Sequence, residues 1–211
     1  MNSSREKILN RLKEAQNNRG EKIISRPDFN SPIYPSSDKN LIDSFQSNIE
    51  LVGGKVFRVK NLKSAVSELK QILKAENQDY LICLEPLFQQ ALEGQISFKS
   101  SLNDLNQIHV GLTSCELLVA HLGSILVSSA SFSGRRLHVF PEIHIVLAHQ
   151  NQLINYLDEA LEQLDKKYQD RFPTMVTNIT GPSRTADIEK TLVMGMHGPK
   201  KLFVLLAEES F

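Results

Sequence analysis

Tryptophan is missing from the chain, and aromatic residues of every kind fill only 7% of its 211 positions. Proteins that hold single-stranded nucleic acid stack bases on exposed rings, so this scarcity speaks against such a role. An excess of either charge is missing too. Lys plus Arg and Asp plus Glu both number 24, which removes any bulk attraction to nucleic acid or an anionic membrane but leaves room for a local basic pocket. Cysteine is limited to Cys83 and Cys115, with no C-x-x-C spacing, so the chain carries no iron–sulfur or zinc motif of its own. A reducing, cytoplasmic setting fits that usage. The six histidines show no H-x-x-x-H spacing, and no dedicated metal site is expected. Long apolar runs are absent as well: none approaches a membrane span, and the charged stretch after Met1 has no signal-peptide core. What remains is ordinary for a soluble globular protein, 41% hydrophobic and 23% charged, and long enough for one domain with its own core.

Residues 3–19 place Ile8, Leu9, Leu12 and Ala15 on one helical face, with Ser3 or Ser4 as cap and Glu6 in the first turn. Residues 20–37 hold Pro27, Pro32, Pro35 and several serines, a linker composition. The expected organisation is an N-terminal helix and linker over 1–37 and one α/β domain over 38–211. The apolar stripe of the first helix needs covering, by the domain or by a second copy, unless the helix swings freely.

From residue 38 helical and extended patterns alternate. Leu41, Ile42, Phe45 and Ile49 form a helix ending at Gly53-Gly54, and Lys55 to Val59 a strand. A helix runs through Leu62, Val66, Leu69 and Leu73, then a strand from Tyr80 to Leu84. A short helix follows Glu85-Pro86, residues 94–105 are a polar connection, and Ile108 to Leu112 is the third strand. Such alternation implies βαβ units and a mostly parallel sheet. The middle differs: Glu116–Ala120 and Ser124–Ser128 flank His121-Leu122-Gly123 and read as a hairpin. Glu142 to Ala148 is a strand, and Asn151 to Lys167 a helix with Leu153, Ile154, Leu157, Ala160, Leu161 and Leu164 inward.

The closing stretch holds most of the chemistry. Met175, Val176 and Ile179 suit a short strand, and Gly181-Pro182 breaks it. Ser183 or Thr185 can cap a helix that has Asp187 and Glu189 in its first turn and Ile188, Leu192 and Val193 on one stripe. Gly195 ends it, and His197-Gly198-Pro199 leads into the apolar run Leu202–Leu206. This order predicts a right-handed crossover between parallel strands, with the loop at their carboxyl ends, where open α/β sheets take up ligands. Backbone amides, the Ser183 and Thr185 hydroxyls and the Arg184 fork would suit a carboxylate or phosphate. Equally, Ser183 and Thr185 can serve as plain caps and Arg184 as the partner of a surface acid.

Other candidates are open to two readings each. Arg135 and Arg136 follow the small-residue loop 128–134 and are either ligand contacts or surface charge. Glu116, after Thr113-Ser114-Cys115 at a strand end, can act as general base or bind a hydroxyl. Cys115 reads as a buried small hydrophobe. His144 reads as structural, and His197 as a backbone-bonded turn residue or an acid–base group.

Ile179 to Pro199, reading ITGPSRTADIEKTLVMGMHGP, resembles the signature of the lactate-utilisation protein C family, the LUD domain: Gly-Pro-Ser-x-Thr-x-Asp-Ile-Glu followed by Gly-x-His-Gly-Pro. The stretch from Val110-Gly111-Leu112-Thr113 to Gly123-Ser124, the Gly134-Arg135-Arg136 triplet and Pro141 to Ile145 are similar to the family too. The likeness runs in order from about residue 40 to 207. Many relatives read Ala-Glu-Thr-Gly where this chain has Ala120-His121-Leu122-Gly123, and Glu116 stands where Asp is more usual. If that corner takes part in chemistry, the chain either uses His121 instead or handles a different ligand.

The resemblance implies a three-layer α/β/α fold like that of the sugar-isomerase and CoA-transferase superfamily. It also implies a place in oxidising L-lactate to pyruvate, with iron–sulfur clusters in partner proteins and none in this chain. The expected ligand site is the Gly181–Asp187 loop with Gly181, Ser183, Arg184, Thr185 and Asp187, joined by Thr113, Arg135 and Arg136. Glu116, His121 and His197 are the catalytic candidates. A stand-alone enzyme for a small carboxylated or phosphorylated metabolite, a non-catalytic interaction domain and a homo-oligomer remain alternatives.

Overall fold

A computed structural model describes residues 3–17, 34, 40–102, 108–185, 193–209 and 211. Two compact units are present, residues 1–38 and 39–211. In the first, helix α1 (Ser4–Asn17) opens with a reciprocal cap: the Ser3 amide donates to Glu6 Oε2, and the Glu6 amide donates to Ser3 Oγ. Ile8, Leu9 and Leu12 are exposed. Most of the proposed linker falls outside the described residues.

The second unit begins with α2 (Leu41–Leu51), capped by the Asn40 side chain, then β1 (Lys55–Val59) and α3 (Leu62–Ala75), whose capping box joins Asn61 and Ser64. β2 (Leu81–Cys83) leads through Glu85 into α4 (Pro86–Leu92), with Pro86 in its first turn, where its missing N–H costs nothing. β3 (Phe98–Lys99), β4 (Val110–Thr113), β5 (Leu117–Val119) and β6 (Ser124–Ser128) follow. β7 (Ile143–His149), β8 (Leu153–Ile154), α5 (Leu157–Tyr168) and β9 (Val176–Ile179) lead to the two-residue strands β10 (Arg184–Thr185) and β11 (Val193–Met194). The last strand is β12 (Lys201–Ala207).

The central sheet has six strands in the order β1-β12-β7-β4-β2-β3, and every pairing is parallel. Its inner strands alternate between two cores. Ile143, Ile145, Leu147, Phe203 and Leu205 face α3 and α4, whereas Val146, Ala148, Leu202, Val204 and Leu206 face the other way. Burial on both faces explains why β7 and β12 read as unbroken apolar runs. Each such Val, Leu, Ile or Phe side chain, fully buried, contributes about 1.5–3 kcal/mol.

The fold is α/β, with a parallel central sheet between covering layers. One cover is α3 with α4; the other is α2 together with a second sheet of four strands, β8-β5-β6-β9. That sheet is itself covered on both sides: Leu118 and Ile125 face the central sheet, while Val119 and Leu126 face Ala160 and Leu164 of α5.

Three local expectations change. Leu153 and Ile154, expected at the start of a helix, instead pair in parallel with Leu118 and Val119; the helix starts at Leu157, and Leu161 is exposed. A short edge strand, β3, lies inside the expected polar connection. The closing crossover is also different. β9 pairs antiparallel with β6 in the second sheet, so β9 and β12 are not sheet partners. Val193, expected on a helix, belongs to a ribbon in which it faces Thr185. Residues 186–192, including Asp187 and the rest of that expected helix, lie outside the described residues.

Residues 129–142 occupy the place of a crossover helix. They start beside the carboxyl end of β4, cross its face and finish at the amino end of β7. Gly111 allows this passage, because a Cβ there would lie 2.9 Å from both the Leu137 carbonyl oxygen and Pro141 Cγ.

Candidate functional site

The signature loop lies at the amino edge of the central sheet, not at the expected carboxyl edge. Gly181 closes against Val52, and Arg184 Nη2 donates to the Val52 carbonyl oxygen, at the turn that ends α2 and starts β1. The Ser183 amide donates to Pro199 O at 2.8 Å, just before β12, and the Gly195 amide donates to Ser183 O at 2.9 Å. Arg184 thus satisfies a carbonyl that the helix terminus leaves open. Thr185 sits in the ribbon with Val193.

The same edge holds a cleft of about 470 Å³, lined in part by Gly195, Met196, His197, Gly198 and Lys200. The opposite wall is Ile108, His109 and the end of the 129–142 segment, Val139 to Glu142. Ser183 stands behind Gly198: a Cβ at that glycine would lie 3.2 Å from Ser183 Cβ. Lys200 Nζ donates to Glu142 Oε1 at 2.9 Å, and His109 Nδ1 lies 3.7 Å from Glu142 Oε2. The Lys200 bond is the main reason the Glu142 carboxyl is held below its ordinary range. Both basic groups are turned toward one carboxyl at the cleft rim.

Glu116 lies elsewhere, under α5. Its Oε1 accepts from Ser128 Oγ at 2.5 Å and Tyr168 OH at 2.6 Å, and its Oε2 accepts from Lys167 Nζ at 2.6 Å. Burial pushes its pKa up, but the bonds from Lys167, Ser128 and Tyr168 outweigh burial and hold it below the ordinary 4.5. Such a carboxylate is a weak proton acceptor, and its evident work is to tie α5 to the end of β6. Glu116→Gln is expected to lower stability by about 1–3 kcal/mol, because buried Ser128 and half-buried Tyr168 lose a charged acceptor. Urea unfolding at pH 7 measures it. Lys167 is mostly exposed and adds little. The Glu116 contribution is present above pH 4.5 and fades as pH falls through the lowered folded-state value.

The remaining expected residues are scattered. Thr113 is buried, with Oγ1 2.9 Å from His144 Nε2. Arg135 donates to Thr174 Oγ1, and the Arg136 carbonyl accepts from the amides of Val139 and Phe140. His121 stands on the β5–β6 turn with its ring edge on Tyr156, centroids 5.3 Å apart. Of the expected residues, the structure brings together Ser183 and His197, with Gly181 and Arg184 behind them on the α2 turn. Sequence reasoning missed His109, Glu142 and Lys200, which gather only because β4, β7 and β12 start side by side. Among the described residues, no group of three or more His, Cys, Asp or Glu could hold a metal ion.

Comparison with known proteins agrees with this architecture. A DUF162 family protein from Deinococcus radiodurans has a similar fold, with TM-score 0.62 over 82% of this chain and 99% of its own, at 19% identity. Lactate utilization protein C of Macrococcus caseolyticus is 29% identical over 52% of this chain and 48% of its own length. The uncharacterized protein YkgG of Escherichia coli is 32% identical over 52% of this chain and 48% of its own. Lactate utilization protein C of Geobacillus thermodenitrificans is 31% identical over 49% of this chain and 44% of its own. The matched part therefore spans about half the length of these curated relatives. The LUD domain model matches residues 42–207, from the second residue of α2 to the last of β12, and the chain belongs to the LUD domain family.

Proposed function

We propose that this chain is a component of an L-lactate utilisation system and acts beside iron–sulfur partner proteins by holding a small carboxylate at the signature loop. The relatives named lactate utilization protein C support the first part. The observation that carries the second is the cleft of about 470 Å³, where His197 and Gly198 of the signature meet Lys200 and His109. A volume of that size suits a small molecule. Lys200 supplies positive charge, His197 and His109 supply ring nitrogens, and Ser183 backs Gly198. Glu142 holds Lys200 and His109 at the rim, and the Lys200 ammonium keeps two further N–H donors for an incoming carboxylate.

Calorimetric titration with L-lactate, pyruvate and inorganic phosphate tests the ligand. Saturable binding of one of them is expected, weakened about tenfold or more (about 1.4 kcal/mol) in Lys200→Ala and His197→Ala. Heat-silent titrations with all three would remove the carboxylate reading. Co-expression with a cysteine-rich partner tests the assembly: recovery of this chain alone under low salt would remove that part.

A further inference from the structure

At the opposite edge of the central sheet stands a carboxyl group that no described cation pairs with. Glu85 lies two residues beyond β2 and is 7% exposed. Its Oε1 accepts from Ser114 Oγ at 3.0 Å and from Ser133 Oγ at 2.8 Å. These serines arrive by different routes, Ser114 immediately after β4 and Ser133 from the 129–142 segment. β2 and β4 are neighbours, yet the chain leaves them toward opposite faces. From β2 it enters α4, which packs with α3 through Phe88 and Leu92; from β4 it enters β5, whose Leu118 packs on the other side. Adjacent strands with diverging exits open a crevice between their carboxyl ends, the position where open α/β sheets bind ligands.

The lining is chemically one-sided. A serine has one proton to give, and Ser114 and Ser133 both give theirs to Glu85 Oε1, so each retains lone pairs only. Among the described residues no donor reaches Glu85 Oε2, and this oxygen is not one of the sealed, partnerless polar atoms, so it meets solvent. Nor does any described Lys, Arg or His form an ion pair with Glu85. Three accepting oxygens thus meet without a donor among them. A primary ammonium has three N–H donors, no lone pair and a positive charge. A hydroxyl brings one donor and lone pairs of its own, and hard metal ions demand about six oxygens.

We infer that Glu85, Ser114 and Ser133 form a second ligand site, which takes the primary ammonium group of a small metabolite. The cation offsets the cost of keeping this carboxyl group away from water. The site stands apart from the cleft beside the signature loop, at the other end of the strands, and does not depend on what that cleft binds.

Amide chemical shifts of the full chain, titrated with ethylammonium chloride, test the assignment. Tetramethylammonium chloride, ethylene glycol and magnesium chloride serve as charge-only, hydroxyl-only and metal comparisons. Ethylammonium is expected to move the Ser114, Ser133 and Gln89 amides saturably, with millimolar affinity, as about 1.5 kcal/mol per heavy atom at best allows. Binding should weaken about tenfold or more in Glu85→Gln. Ser133→Ala keeps the carboxyl group, serves if Glu85→Gln does not fold, and should weaken binding about threefold, as loss of one hydrogen bond does. The assignment is overturned if any comparison solute moves these amides as much as ethylammonium, if ethylammonium moves none of them, or if both variants bind like the parent.

Discussion

Gly123→Ala is expected to lower stability by about 3 kcal/mol or more, a drop in Tm of about 6–12 °C for a chain of this size. Gly123 sits at the β5–β6 turn with φ +59, a backbone conformation that side chains resist. A Cβ there would lie 2.2 Å from Ile49 N and 2.5 Å from Asn48 C, both backbone atoms of α2. The helix cannot easily retreat. Phe45 and Ile49 are fully buried, and Asn48 Nδ2 donates to Ala120 O at 2.9 Å and His121 O at 3.1 Å. Gly94→Ala is the matched control, with φ +69 and nothing within 4 Å of its Cβ. It feels the backbone strain alone, about 1 kcal/mol. Thermal unfolding of both variants separates strain from collision; equal losses would mean that α2 does not bear on the turn.

That contact shows how the domain is assembled. The β5–β6 hairpin is a middle layer, held between the central sheet and α5, and its turn is clamped by α2. His121 and Leu122 lie on this turn, where both side chains are exposed and the backbone carbonyl of His121 makes the contact. A carbonyl is indifferent to the side chain it belongs to, so a change of either side chain leaves the clamp intact. Gly123 has no such freedom.

Much of the architecture was legible because its causes are local. The α3 stripe, the hairpin turn and the apolar runs of β7 and β12 follow from periodicity and turn chemistry. Layer assignment was not legible. A strand pattern reports which faces are apolar but not which strand lies alongside, so β9 reads from sequence as a parallel partner of β12 when its partner is β6. Leu153 and Ile154 suit either a helix stripe or a two-residue strand, and only the distant edge of β5 decides between them. The signature loop illustrates the same limit at the candidate site. Its residues could be named from sequence, but its edge of the sheet could not, because that depends on Val52 and Pro199 reaching it through the fold. Glu85 was hidden for a similar reason: its serine partners lie 29 and 48 positions away.

Acid should weaken the domain well before its carboxylates protonate. His144 is fully buried, Thr113 Oγ1 meets its Nε2, and its Nδ1 has no partner among the described residues. Burial, with the nearby His138 adding to it, pushes its pKa from 6.5 down to about 3. The folded form therefore binds fewer protons than the unfolded form between those values. Stability from the neutral ring is complete above pH 6.5 and is lost as pH falls toward about 3. The slope approaches one proton's worth per pH unit, so moving from pH 6.5 to 4.5 removes about 2 kcal/mol. His138, also lowered by burial, steepens the loss in the same direction. Glu116 and Glu142, both held below 4.5, contribute their own loss only beneath that pH, which leaves the upper part of the window to the histidines. His144→Gln offers Thr113 a polar partner without a titrating ring. Urea unfolding free energies at pH 7, 6, 5 and 4.5 should fall steeply for the parent and much less for this variant. Parallel curves would mean that the ring charges on the surface of a looser fold, and the tight packing of β4 and β7 around it would have to be abandoned.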